Sequence, residues 1–208
     1  MTSTTYKLSE LFLIFVIAPI VMVLEVPIII KTIIGVTGFI YIIIVLLKVE
    51  KKKFKLAANL NWSRFWQQKL VYFSFIAMIT TSYVWFTDKT MLFNVMLHKS
   101  KLWIFILFFY SLFSVYPQEL IYRTFFFQRY QTLFKNKRLF LCLNAALFSF
   151  AHIFFMNSLV MLLTFIGGFL FAITFYRTRS TLMVSIEHAI YGCWLFTVGM
   201  GTMLGFPS

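Results

Sequence analysis

The sequence predicts an all-α fold, a polytopic transmembrane helical bundle of about seven spans, six to eight being what ~20 residues per span allow. Three observations carry this. Of 208 residues, 61% are apolar and 21% aromatic, while 12% are charged, about half the share of an average soluble domain. The apolar residues form continuous runs rather than alternating with period two, which argues against a transmembrane β-barrel. The remaining charge is lopsided, with 19 Lys and Arg against 6 Asp and Glu, and mean hydropathy is +0.88. So little polar surface excludes a water-soluble domain, and 28 Phe exclude a disordered nucleic-acid-binding chain.

Apolar runs lie at 8–26, 32–47, 70–86, 102–116, 139–155, 159–176 and 182–197. Several reach the length of a span only with their flanks. The first follows Lys7 as a signal peptide would, but it has no small-residue cleavage site, contains Pro19 and Glu25, and leads straight into the second run. It reads as a retained helix. Glu10, Glu25 and Lys31 lie near span ends, where they can snorkel to headgroups. Segment 48–69 carries seven Lys and Arg together with Trp62, Phe65 and Trp66, as an interfacial helix on an anionic leaflet would. The fourth run continues past Pro117 to Phe134, too long for one straight span, so the proline is expected to kink it. With the N-terminus in the cytoplasm, fourteen basic residues fall on the inner side and four on the outer, as the positive-inside rule asks. Cys142 and Cys193 have no metal or redox spacing and read as small core residues. No repeat or linker divides the chain. It reads as one membrane domain, with N-terminal helices over 1–101 and a core over 102–208 that holds the polar groups of interest.

Ionisable groups inside spans are expensive and mark functional candidates. Four lie deep, Glu119, Arg123, His152 and His188, with Gln118 and Glu187 beside them. Glu119 and Arg123 are four apart, so they share a helix face and can form an ion pair that does no more than neutralise itself. A single buried histidine, likewise, more often bonds a neighbouring helix than catalyses. Depth makes the set more than its parts. Glu119 lies 15 residues above Phe134, about 22 Å at helical rise, and His152 13 above Leu139, about 20 Å. His188 is about 12 Å above Ser180. One carboxylate and two imidazoles meeting in a dry bundle supply a base for water and donors for an oxyanion. The same trio is a common zinc ligand set.

Gln118-Glu119-Leu120-Ile121-Tyr122-Arg123, then Phe148 with His152, then His188 with Gly192, resemble the motifs Glu-Glu-x-x-x-Arg, Phe-x-x-x-His and His-x-x-x-Asn/Asp of the CPBP family. That family comprises the CAAX proteases and bacteriocin-processing proteins, the Ras-converting type of CAAX prenyl endopeptidase among them. Gly167-Gly168 and the stretch Tyr176 to Ser180 also match, and the resemblance covers 115–195.

The resemblance implies an intramembrane endopeptidase. In that family the first glutamate and first histidine activate a water, the second histidine and the Asn stabilise the oxyanion, and the second glutamate and arginine hold the site. This chain departs twice. Gln118 cannot take a proton at neutral pH, and Gly192 offers no side-chain donor. Glu119 is the preferred replacement base, kept ionised by Arg123. Glu187 is the alternative compensating base, although adjacent helical residues point about 100° apart and it cannot aim with His188 at one centre. The catalytic residues are therefore expected to be Glu119, His152 and His188, supported by Gln118, Arg123, Phe148 and Gly192. No cofactor is required, and a zinc on Glu119, His152 and His188 is the metal alternative. Expected partners are a protein or peptide substrate, prenylated in one form of the reading, and membrane lipid. The expected setting is a bacterial cell membrane. The competing function is a catalytically lapsed relative acting as a membrane scaffold, binding or bacteriocin-immunity protein. Gln118 and Gly192 favour it, while two retained imidazoles favour the enzyme. A transporter is disfavoured, because no matching pair of interrupted helices appears.

Overall fold

Small polar residues between the apolar runs set where the helices begin. Ser3, Asn61, Asn136, Asn157 and Ser180 each turn a side-chain oxygen onto a backbone N–H of the following turn, satisfying donors the helix leaves open. The computed structural model describes residues 3–51 and 61–206. Among them seven helices are long and apolar enough to cross a membrane: α1 (Thr4–Val23), α2 (Ile28–Val49), α3 (Trp62–Thr87), α4 (Ser100–Leu133), α5 (Lys137–Phe155), α6 (Ser158–Thr178) and α7 (Thr181–Val198). No strand occurs among the described residues. The chain is a multi-pass membrane protein, all-α as its composition demands, and side chains such as Ile28, Ile79, Phe86 and Phe108 stand mostly exposed on its outer faces.

Helices outrun the apolar runs where a charge interrupts the pattern. α2 starts at Ile28 because Lys31 carries its ammonium to the Met22 carbonyl, 2.8 Å away in the last turn of α1, where the helix dipole favours a cation. α3 starts at Trp62, so Trp62, Phe65 and Trp66 occupy its first turns rather than an interfacial helix. The rest of that basic segment, 52–60, lies outside the described residues. Pro117 does not end α4. The backbone widens into π turns over Tyr110–Val115 and Leu120–Phe125, an adjustment that accommodates a missing N–H. α7 stops at Gly199, whose φ of +107° suits glycine and where a Cβ would lie 2.2 Å from the Met91 carbonyl oxygen.

The chain divides into two compact units, Met1–Lys55 with Glu119–Arg179, and Leu56–Gln118 with Ser180–Ser208. The first has an aromatic core. Phe15 meets Tyr122 and Phe126 edge-on at 5.2 Å, and Phe126 stacks on Phe140 at 5.2 Å. Beside it lies a buried charge cluster. Arg129, with no exposed surface, donates from Nε to Glu10 at 2.7 Å, from Nη2 to the other Glu10 oxygen at 3.2 Å and from Nη1 to Glu50 at 2.8 Å. Tyr130 and Tyr41 also donate to Glu10. Glu10 therefore does not snorkel, and Arg129 is buried with it. Each is buried because the other supplies its partner. The second unit is tied by indole bonds, Trp194 Nε1 to Thr80 at 2.9 Å and Trp103 Nε1 to Thr197 at 3.0 Å.

Glu10→Ala strands part of the Arg129 guanidinium in a dry site and is expected to cost about 3–5 kcal/mol. The measurement is the thermal unfolding midpoint of the purified chain in detergent. Glu25→Ala, at an exposed position, leaves that midpoint unchanged.

Candidate functional site

In the first unit the deep polar residues are linked through one buried guanidinium. Glu119 and Arg123 sit one turn apart on α4, with Oε2 and Nε at 3.3 Å and no exposed surface on either side chain. Arg123 also donates from Nη2 to the Gly168 carbonyl at 3.4 Å. Its flat face lies 4.6 Å from the centre of the Phe148 ring and 5.7 Å from that of Phe171, a desolvated cation–π arrangement. A Cβ on Gly168 would come within 2.9 Å of Phe148 Cδ1, so glycine is what lets the ring slide between α5 and α6. Asn144 fixes α5 to α4 by donating to the Tyr122 carbonyl at 2.6 Å.

Phe148 hands the contact on to His152. The α-helical part of α5 ends at Phe150, which places His152 in the turn that follows, half-buried. Its Nδ1 lies 2.8 Å from the Phe148 carbonyl and the two rings are 4.9 Å apart. A carbonyl only accepts, so Nδ1 carries the hydrogen and Nε2 is the basic nitrogen of the neutral ring. Glu119, Arg123, Phe148 and His152 thus form one chain of contacts.

The second unit holds the other candidates. Gln118 donates from Nε2 to Ser114 Oγ at 2.8 Å, and its buried Oε1 accepts no hydrogen bond among the described residues. His188, 6% exposed, has Nε2 3.1 Å from the Tyr110 hydroxyl. Glu187 pairs with Lys69 at 2.7 Å, both buried. Sequence reasoning had counted Lys69 among loop charges. The signal that could have found it is Glu187 itself, a carboxylate deep in an apolar helix that needs a cation nearby. Tyr110 went unnoticed as one aromatic among many, yet a Cβ on Gly192 would fall 2.1 Å from its hydroxyl oxygen.

Among the described residues no three His, Cys, Asp or Glu side chains gather closely enough to hold a metal ion. Glu119 faces a guanidinium, while His152 and His188 turn ring nitrogens to a carbonyl and a phenol. Within the first unit the arrangement offers a charge-matched carboxylate and a basic imidazole nitrogen in apolar surroundings, the equipment of water activation by side chains.

Residues 99–194 match the family model described as Type II CAAX prenyl endopeptidase Rce1-like, a span that includes all three motifs. No curated protein and no solved structure matches the chain.

Gly168→Ala is expected to destabilise by about 1–3 kcal/mol through overpacking against Phe148. Gly167→Ala, whose added carbon meets the Phe171 ring at an ordinary 3.4 Å, is expected to be neutral or to gain up to ~1 kcal/mol of helix propensity. Unfolding midpoints of the two variants, measured side by side, check the contrast.

Proposed function

Over residues 99–194 the chain belongs to the Type II CAAX prenyl endopeptidase Rce1-like family, and from that premise we propose that it is a membrane-embedded endopeptidase that hydrolyses a protein or peptide substrate by side-chain activation of water. The observation that carries the reading is the contact chain from Glu119 through Arg123 and Phe148 to His152. It gives the carboxylate a counter-charge and the imidazole a defined tautomer, and both are prerequisites of a working base.

In this reading Glu119 takes the proton of a water that His152 Nε2 orients, and the hydroxide adds to the peptide carbonyl carbon. For His188 the reading keeps the role that the family resemblance implies for the second histidine, stabilising an oxyanion. Collapse of the adduct expels the amine, which takes the proton back from Glu119. Arg123 balances the carboxylate charge of Glu119 before the first step and after the last. Glu187 is left out as a base, since adjacent residues on α7 point about 100° apart and it cannot aim with His188 at one centre. No step is assigned to a metal. The excess of basic residues around the inner ends of the spans supports a cytoplasmic N-terminus.

One observation favours a second reading, a lapsed relative that binds rather than cleaves. At the position where the family motif has its first glutamate, Gln118 presents an amide already committed to Ser114.

The test is cleavage of a farnesylated CAAX peptide and of the same peptide unmodified, by the purified full chain. Glu119→Ala and His152→Ala are each expected to lower kcat by about 10²–10⁴, and His188→Ala by about 10²–10³. Glu187→Ala keeps the rate of the folded fraction while lowering stability, because it strands Lys69. Activity that survives Glu119→Ala removes that residue as the base. Activity that appears only after Gln118→Glu identifies the natural protein as the lapsed relative.

A further inference from the structure

We propose that the first unit carries a binding seat for the phosphate of an anionic membrane lipid, formed by Lys137 and Arg179 against the ring of Tyr176, where α5 starts and α6 stops. The inference does not depend on the peptidase reading.

The charge pattern is the first observation. Between Glu119 and Glu187 the sequence holds no acidic residue. Two basic residues of that stretch, Arg123 and Arg129, are buried and paired with Glu119, Glu10 and Glu50. Lys135, Lys137, Arg138, Arg177 and Arg179 stand exposed, and none of the five is paired with an acid among the described residues.

The fold then gathers two of them. Lys137 opens α5 and Arg179 follows the last residue of α6, yet both lie over Tyr176, with the Lys137 Nζ 3.9 Å from the ring centre and the Arg179 guanidinium carbon 5.2 Å from it. Arg179 also faces the Phe127 ring at 5.7 Å. An exposed ring answers a cation only weakly, and it does nothing to relieve the repulsion between two cations that share it. An anion between them does both. The backbone at Arg179 adds to this. Its φ of +52° is the left-handed position after a helix that usually takes glycine. The cation that a helix end favours is already present as Arg177 in the last turn of α6. An arginine at 179 thus bears a conformational cost that the helix end does not require.

Position selects the source of the phosphate. Tyr176 and Lys137 lie at the ends of two spans, the level at which amphipathic rings meet headgroups. Leu139, one step further into α5, is 58% exposed and offers an apolar surface to an acyl chain. A lipid phosphodiester satisfies both the cations and this surface, whereas a free phosphate satisfies the cations alone. Lys135, Arg138 and Arg177 raise the positive potential around the seat.

The experiment titrates the purified full chain, in an uncharged detergent, with phosphatidylglycerol or phosphatidylcholine labelled on the acyl chain, and reads fluorescence anisotropy. Phosphatidylglycerol is expected to bind at least about tenfold more tightly, as two cations beside an anionic headgroup provide. Lys137→Gln combined with Arg179→Gln brings the two lipids to within about threefold of each other. Lys135→Gln combined with Arg138→Gln removes the same charge outside the seat and keeps phosphatidylglycerol within about threefold of its natural affinity. Equal losses in the two double variants overturn the inference and reduce the region to an undirected basic surface. Equal binding of both lipids by the natural chain overturns it as well. Full displacement of phosphatidylglycerol by an equal concentration of inorganic phosphate assigns the seat to the free anion and overturns the lipid. Arg179→Gly separates binding from folding: it is expected to keep or raise the unfolding midpoint in detergent while weakening phosphatidylglycerol about fivefold. A lowered midpoint makes Arg179 a structural residue of the helix end and refutes the seat.

Discussion

The Arg123 guanidinium has no exposed surface, and a cation held away from water costs several kcal/mol unless its surroundings answer it. Glu119 supplies the opposite charge, the Gly168 carbonyl an acceptor, and the faces of Phe148 and Phe171 a negative quadrupole. Each demand constrains a different helix. The carboxylate must come from one turn earlier on α4, position 168 must lack a Cβ, and Phe148 must lie flat beneath the charge. That last requirement fixes the backbone carbonyl on which His152 hangs. The orientation of the imidazole is thus a remote consequence of solvating one arginine.

The same logic recurs elsewhere in the chain. Of its six acidic residues, Glu10, Glu50, Glu119 and Glu187 are engaged in ion pairs with Arg129, Arg123 or Lys69. Acids are placed where a basic side chain enters the bundle, and almost nowhere else. With a net charge of +13, the remaining basic groups are left for the ends of the spans and the segments between them, where they favour an anionic lipid surface.

How much of this was legible in the sequence depended on range. Seven spans were readable because hydrophobicity is local, and the three motifs because their residues recur at helical spacing. Ion pairs four residues apart, such as Glu119 with Arg123, were readable too. Partners distant in sequence were not. Lys69 and Glu187 are 118 residues apart, and Arg129 and Glu10 119, and no periodicity links them. Lys31 misled in the other direction, shortening α2 on paper because its charge breaks the apolar pattern, although the ammonium bends back to Met22. Tyr110 was invisible for a different reason. What marks it is the absence of a side chain at Gly192, and a vacancy can be filled from any helix.

Five of the seven spans are begun by asparagine or serine, and none of these five has an acidic residue in its first turn. Uncharged caps have no proton to gain or lose. These five helix starts therefore keep the same hydrogen bonds as acidity varies, and the response to charge is left to the basic residues beside them, such as Arg64 and Arg138.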